Sequence, residues 1–266
     1  MRLSFLPLAR RIAKKAVLVA GREGGARELG ENPLGQLTIR ADRDLEELVA
    51  GELRRAKIPC ILVTEEAGLI EISREPEWKF VLDPLDGSEN YKRGVPIYCL
   101  GLCYAPITGR FPDILESYII ELNTGDEFYA RKGGGAYRNG KRARPSRASD
   151  MRGAIISIDL HNEIMHNEIS PRATLALLEC TDHRRFGPDL LDMCYTACGG
   201  VDGFVHGCRT LSAVHASGVA LMDEDCTVTE TDGKPIAAKL EVDEPMGVVA
   251  AGTKKLHAQL LAALRK

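Results

Sequence analysis

The chain has 266 residues, 44% of them hydrophobic, with a formal net charge of -3 and a pI near 6.1. That is enough apolar content for a large core, built as one big domain or two halves. The charge supplies no basic field for nucleic acid, and the runs Arg10 to Lys15 and Arg138 to Arg147 read as solvated faces. Leu3 to Val19, interrupted by Arg10, Arg11, Lys14 and Lys15, predicts an amphipathic first helix rather than a signal peptide. No apolar run reaches the ~20 residues of a membrane span, so the reading is cytoplasmic. Asp42 follows Leu37-Thr38-Ile39-Arg40 and opens a second helical stretch through Asp44 to Val49. Strands are then predicted at Ile58 to Thr64, Lys79 to Leu82, Pro96 to Tyr104, Ser117 to Leu122 and Asp126 to Arg131. After the Arg, Ser and Pro-rich break of Arg142 to Arg152 come a strand at Gly153 to Asp159 and helices near Pro171 to Glu179, Pro188 to Cys198 and Leu211 to Met222. Strands at Asp202 to His206, Thr227 to Thr231 and Gly247 to Ala251 and a last helix from Lys254 complete the chain.

Eight cysteines without a Cys-x-x-Cys pair read as reduced core residues, with disulfides the alternative if the source is a hyperthermophile. Cys99 and Cys103 share one face of a strand, and Cys194 and Cys198 are four apart on a helix. His161, His166 and His183 read as surface residues.

The chemistry gathers at strand ends. Phe80-Val81-Leu82 runs into Asp83-Pro84-Leu85-Asp86-Gly87, where Pro84 is expected to end the strand and a tight turn can aim two carboxylates at one point. Hard cations such as Mg²⁺ take such oxygen ligands. Gly87 and Ser88 follow with sterically open N–H groups, suited to an anion nest or the start of a short helix. Read alone, the segment is equally a surface Asp-turn. A second predicted strand, Cys60 to Thr64, ends in Glu65-Glu66, and Asp42 follows a third apolar run. Three acidic strand ends can cluster only if a cation offsets their repulsion; without one, each is a solvated cap or turn residue.

Trp78-Lys79-Phe80-Val81-Leu82-Asp83-Pro84-Leu85-Asp86-Gly87-Ser88-Glu89-Asn90-Tyr91 resembles the signature of the inositol monophosphatase family, in its archaeal inositol monophosphatase and fructose-1,6-bisphosphatase-like form. Thr64-Glu65-Glu66, Asp42, the segment Gly133 to Gly140 and the segment Met193 to Phe204 extend the likeness over nearly the whole chain. The resemblance implies an α+β fold, a layered α-β-α-β-α sandwich of the sugar phosphatase type, with the site between two halves and a homodimer. Residues 1–146 would carry most metal ligands and the phosphate loop, and residues 147–266 would form the substrate wall. It further implies a phosphomonoester hydrolase for a sugar or inositol phosphate, using two or three Mg²⁺ ions and direct in-line attack by water. Glu65, Asp83 and the Leu85 carbonyl would hold one ion, and Asp83 and Asp86 would contribute to a second. Asp42 with Ser88 would orient and deprotonate the water, Glu65 counting with them among the catalytic groups. Gly87 and Ser88 N–H groups would hold the phosphate.

Two segments depart from the family pattern. Where the family has a Trp-Asp pair opening a long helix, its Asp a ligand of the second metal, this chain has Ser212-Ala213. His215, two residues on, is expected to turn to another helix face, and Asp223, Glu224 and Asp225 to lie roughly 15 Å away. Where the family has Arg-x-x-Gly-[ST]-Ala-Ala, the chain reads Arg184-Arg185-Phe186-Gly187-Pro188-Asp189-Leu190-Leu191, and His206 stands where inositol-specific relatives carry an acidic ring-binding residue. Arg184 and Arg185 could hold a second phosphate or be two solvated arginines ahead of a helix. The alternative to a working phosphatase is an impaired member that binds a phosphorylated ligand or partner.

Overall fold

Alternation with a period of two organises two large sheets, and each alternation sends successive side chains into different cores. The computed structural model describes residues 3–32, 37–160, 169–212, 215–242 and 244–266; Ala213, His161 and His166 lie outside the described residues. The larger sheet is made of β3 (Cys60–Thr64), β4 (Gly68–Glu71), β5 (Trp78–Asp86), β6 (Cys99–Pro106), β7 (Glu116–Glu121), β8 (Glu127–Arg131), β9 (Gly135–Arg138) and β10 (Lys141–Arg142), in the order β10-β9-β8-β7-β6-β5-β3-β4. The smaller sheet takes β11 (Ile155–Asp159), β12 (Asp182–Arg184), β13 (Gly203–Ser212), β14 (Thr227–Thr229) and β15 (Pro245–Ala251), in the order β12-β11-β13-β15-β14. A short ribbon, β1 (Glu28–Glu31) with β2 (Leu37–Ile39), precedes both.

On β6, Leu100, Leu102 and Tyr104 face one way and pack with α1 (Phe5–Ala20) and α2 (Arg40–Arg55) through Phe5, Ile12, Leu45 and Leu53. Cys99, Cys103 and Ala105 face the other way, into a central core with α5 (Asp189–Ala197) and α6 (Ala216–Asp223). The same core receives Phe204 and Val248 from the smaller sheet, whose opposite face sends Val205 and Val249 towards α4 (Pro171–Leu177) and α7 (Lys254–Leu264). The layers therefore run helix, sheet, helix, sheet, helix. Each large apolar side chain so buried stabilises by ~1.5–3 kcal/mol. Cys99, Cys103 and Cys194 are buried core thiols; Cys198, the C-cap of α5, is half-buried, and all four are free.

Two expected boundaries move. Pro84 does not end its strand: β5 continues to Asp86, and its register on β6 shifts between Asp83 and Asp86. The missing N–H of Pro84 thus falls in a bulge, where no ladder bond is lost. The predicted helix Leu211 to Met222 begins only at Ala216, because β13 runs on past His206, and Leu211 and Ser212 pair with Met246 and Pro245 after a second register shift. The strands β4 and β12 are additions that the pattern did not signal. The described element between Gly87 and Lys92 is a short helix, α3 (Ser88–Lys92).

Candidate active site

β3 and β5 are parallel neighbours with Thr64 opposite Leu82, so Glu65, just past the end of β3, and Asp83, the next residue along β5, lie side by side. Asp42 sits in the first turn of α2, where its Oδ2 accepts the Ile39 N–H at 2.8 Å. Beyond the β5 bulge, Asp86 Oδ2 accepts the Leu190 N–H at 2.7 Å and so faces the start of α5. Leu85 buries its side chain in the outer core. Gly87 then turns the chain with φ +93°; a Cβ there would meet Pro188 Cγ at 2.7 Å and the Ile97 carbonyl at 3.0 Å, so only glycine fits. Ser88 follows as the first residue of α3.

Asp83 is 1% exposed, and neither of its carboxylate oxygens has a hydrogen-bond partner. Ligand atoms of Asp83, Asp86 and His215 all lie within 4.8 Å of one another, His215 Nε2 standing 3.4 Å from Asp83 Oδ2. Glu65 is outside that tight group but inside its field. Burial lifts its carboxyl to about 7, with Glu66 and Asp86 adding to the rise and His215 opposing it. Burial likewise holds Asp83 well above the carboxylate range, reinforced by Asp86, Glu65 and Asp42. Asp86 is raised by burial and by Asp189, against the amides that it accepts. Asp42 is pushed up to about 8 by burial, the Ile39 bond notwithstanding. A cluster of buried acids with orphaned oxygens is what a divalent cation would complete, so these residues fit a metal.

The facing wall comes from the smaller sheet and the start of α5. His206, buried on β13, brings Nε2 to 3.5 Å from Asp189 Oδ2. Burial alone would raise Asp189, but His206, His215 and Arg185 together bring it below the usual carboxylate range. Arg185 donates through Nε and Nη2 to Asp159 Oδ2 at 2.9 and 2.6 Å. Arg184, on the edge strand β12, pairs with Asp182 at 2.6 Å. The two arginines therefore diverge, each already matched with an acid. His183 is exposed as expected.

His215, Asp159 and Asp189 are the site-side residues that sequence reasoning passed over. His215 is the clearest case: it is the N-cap of α6, outside the helical geometry used to turn it away, and it points at Asp83. Asp189 carried a signal, as an acid where the pattern has a small hydroxylated residue; Asp159, at the last position of a strand, carried none.

The sequence pattern of the inositol monophosphatase family matches residues 5–266. A fructose-1,6-bisphosphatase/inositol-1-monophosphatase of Archaeoglobus fulgidus is 31% identical over 264 residues, 96% of each chain. A Nus factor SuhB of Vibrio cholerae is 30% identical over 166 residues, 61% of this chain and 60% of that protein. Among solved structures, the extragenic suppressor protein suhB of Bartonella henselae superposes with a TM-score of 0.82 at 25% identity, covering 98% of both chains.

Proposed function

The chain belongs to the inositol monophosphatase family, and from that membership we propose that it is a Mg²⁺-dependent phosphomonoester hydrolase acting on a sugar or inositol phosphate of the fructose-1,6-bisphosphate or inositol-1-phosphate class. The observation that carries the reading is Asp83, a fully buried carboxylate with two orphaned oxygens in the field of Asp86, Glu65, Asp42 and Glu66. Glu65, Asp83 and the Leu85 carbonyl would hold one Mg²⁺, and Asp83 and Asp86 a second. Bound there, the ions supply positive charge where attacking and leaving oxygens become negative.

Asp42 and Ser88 orient the attacking water, and Asp42 takes its proton. A carboxyl raised to about 8 is in the range useful to a general base near neutral pH. Gly87 and Ser88 present their amides to the phosphate from a turn that excludes a Cβ. His206 and Arg185, with Arg184 at the rim, face the organic part of the ester, where Asp189 and Asp159 add acceptors for hydroxyl groups. Residues 1–146 and 147–266 act as the two halves of a homodimer subunit, working in the cytoplasm on a small-molecule ester, with no nucleic-acid or membrane partner. No described helix is long and apolar enough to cross a membrane.

Phosphate release from fructose bisphosphate, inositol phosphates and an aryl phosphate, over a Mg²⁺ series, tests the reading. Release should depend on Mg²⁺ and vanish in Asp83→Asn; equal rates in the variant would remove Asp83 from the mechanism. Ala213 in place of the family's aspartate favours a second reading, a member that binds a phosphorylated ligand or partner with little turnover. Silence across the panel from folded protein would move the weight there.

A further inference from the structure

Asp83 keeps both carboxylate oxygens buried without a hydrogen bond, a costly state for an anion unless a positive group reaches it. His215, whose side chain is 14% exposed, places Nε2 3.4 Å from Asp83 Oδ2. That is longer than the ~2.7–3.2 Å of an N–H···O bond. It matches instead one edge of a tetrahedron: bonds of ~2.0–2.1 Å from one ion to a nitrogen and an oxygen set those atoms ~3.3–3.4 Å apart. Asp86 completes the triangle, with one ligand atom from each of the three residues within 4.8 Å of the others. The Leu190 N–H donates to Asp86 Oδ2 and fixes that carboxylate against α5 in the manner of an outer-shell partner.

We propose that Asp83, Asp86 and His215 form a three-ligand site for a borderline divalent transition-metal ion, Zn²⁺ or Co²⁺, held in preference to Mg²⁺. Imidazole suits such ions, whereas Mg²⁺ selects oxygen and sheds water reluctantly. Two carboxylates and one imidazole leave a tetrahedral ion one open position, the arrangement of a catalytic rather than a structural site. His215, the N-cap of α6, thereby supplies a protein ligand in a chain whose sequence has Ala213 where the family pattern has an acid. The site shares Asp83 and Asp86 with the phosphatase reading above and rests on it for its role in turnover, though not for its existence.

The test is equilibrium metal binding to the purified full-length apo protein, with Zn²⁺ measured by competition against a chromophoric chelator and Mg²⁺ by calorimetry. Wild type, His215→Ala, His215→Asp and Asp83→Asn are compared, each checked for a cooperative thermal transition. Wild type should bind Zn²⁺ more tightly than Mg²⁺. His215→Ala should weaken Zn²⁺ by ~10- to 100-fold with little change in Mg²⁺, and His215→Asp should shift the preference back towards Mg²⁺. With Co²⁺ as the probe, loss of the nitrogen ligand should also change the visible spectrum. Equal Zn²⁺ affinity and an unchanged Co²⁺ spectrum in folded His215→Ala, or a wild type that prefers Mg²⁺, overturns the proposal. Phosphate release by wild type, measured alongside with Mg²⁺ alone and with Mg²⁺ plus Zn²⁺ or Co²⁺, separates the two readings: turnover with His215-independent Zn²⁺ binding sinks the site alone, and His215-dependent binding without turnover under any of these ions sinks the phosphatase alone.

Discussion

Replacing Asp42 by Asn tests the electrostatics of the apo site without touching a proposed metal ligand. Asp42 is 3% exposed, and burial, joined by Glu66, Glu65 and Glu46, carries its carboxyl from 3.8 to about 8. Between those values the folded state holds a proton that the unfolded chain has released, so the group's contribution to stability is fully present below pH 3.8 and is lost as pH rises to about 8. Unfolding free energy then falls by about 1.4 kcal/mol per pH unit, or on the order of 4 kcal/mol between pH 5 and pH 8. Asn keeps an oxygen for the Ile39 N–H, which preserves the helix start, and it cannot ionise. In urea titrations with a chelator present, the stability of Asp42→Asn relative to wild type should therefore grow steadily from pH 5 to pH 8.5. Saturating Mg²⁺ should shrink that growth by offsetting the wild-type charge, and turnover should fall by ~10²-fold or more through loss of the base. A stability difference that is flat across this range would refute the assignment of a buried, proton-holding Asp42.

Gly87→Ala forces a Cβ against Pro188 and the Ile97 carbonyl at positive φ, which should cost about 2–4 kcal/mol and lower the thermal midpoint; a loss under about 0.5 kcal/mol would show that the turn relaxes freely. Ile12→Ala removes a 1% exposed side chain from the seam between α1 and the larger sheet and should cost about 2–4 kcal/mol by urea unfolding while leaving KM unchanged. Asp192, raised to about 8 by burial against its bond from Ser157, has the same sign as Asp42. Asp192→Asn should accordingly stabilise the apo protein more at pH 8.5 than at pH 5, and an equal gain at both would contradict it.

What could be read from the chain follows from how local the cause was. The strands Cys60–Thr64 and Glu116–Glu121 carry their own pattern, apolar runs bounded by turn residues, and each falls within two residues of its expected span. The signature Trp78 to Tyr91 is one contiguous segment, so its likeness to the family could be recognised without knowing any partner strand. Pro84 needed more: whether a proline ends a strand depends on the neighbour's register, and only the β5–β6 pairing, slipping between Asp83 and Asp86, makes room for it. The arginine pair was ambiguous for a similar reason. Arg184 and Arg185 are adjacent in sequence, but an edge strand turns them to different acids, Asp182 and Asp159, and that strand had no periodic signal of its own.

His215 shows most clearly where periodicity misleads. Counting at helical spacing from Ala213 turns its ring away from the acids, and the count would hold if the helix began at Leu211. The helix begins at Ala216 because β15 keeps Leu211 and Ser212 in the smaller sheet through pairs made with Met246 and Pro245, more than thirty positions along the chain. The direction of one imidazole is thus set by a long-range strand pairing that moves a helix start by a few residues. A change at that pairing should act on the metal site before it acts on the fold: Met246→Ala, fully buried in the central core, should cost about 2–5 kcal/mol of stability and also weaken Zn²⁺ through the misplaced His215. An unaltered Zn²⁺ affinity in the folded variant would show that His215 is positioned by α6 alone.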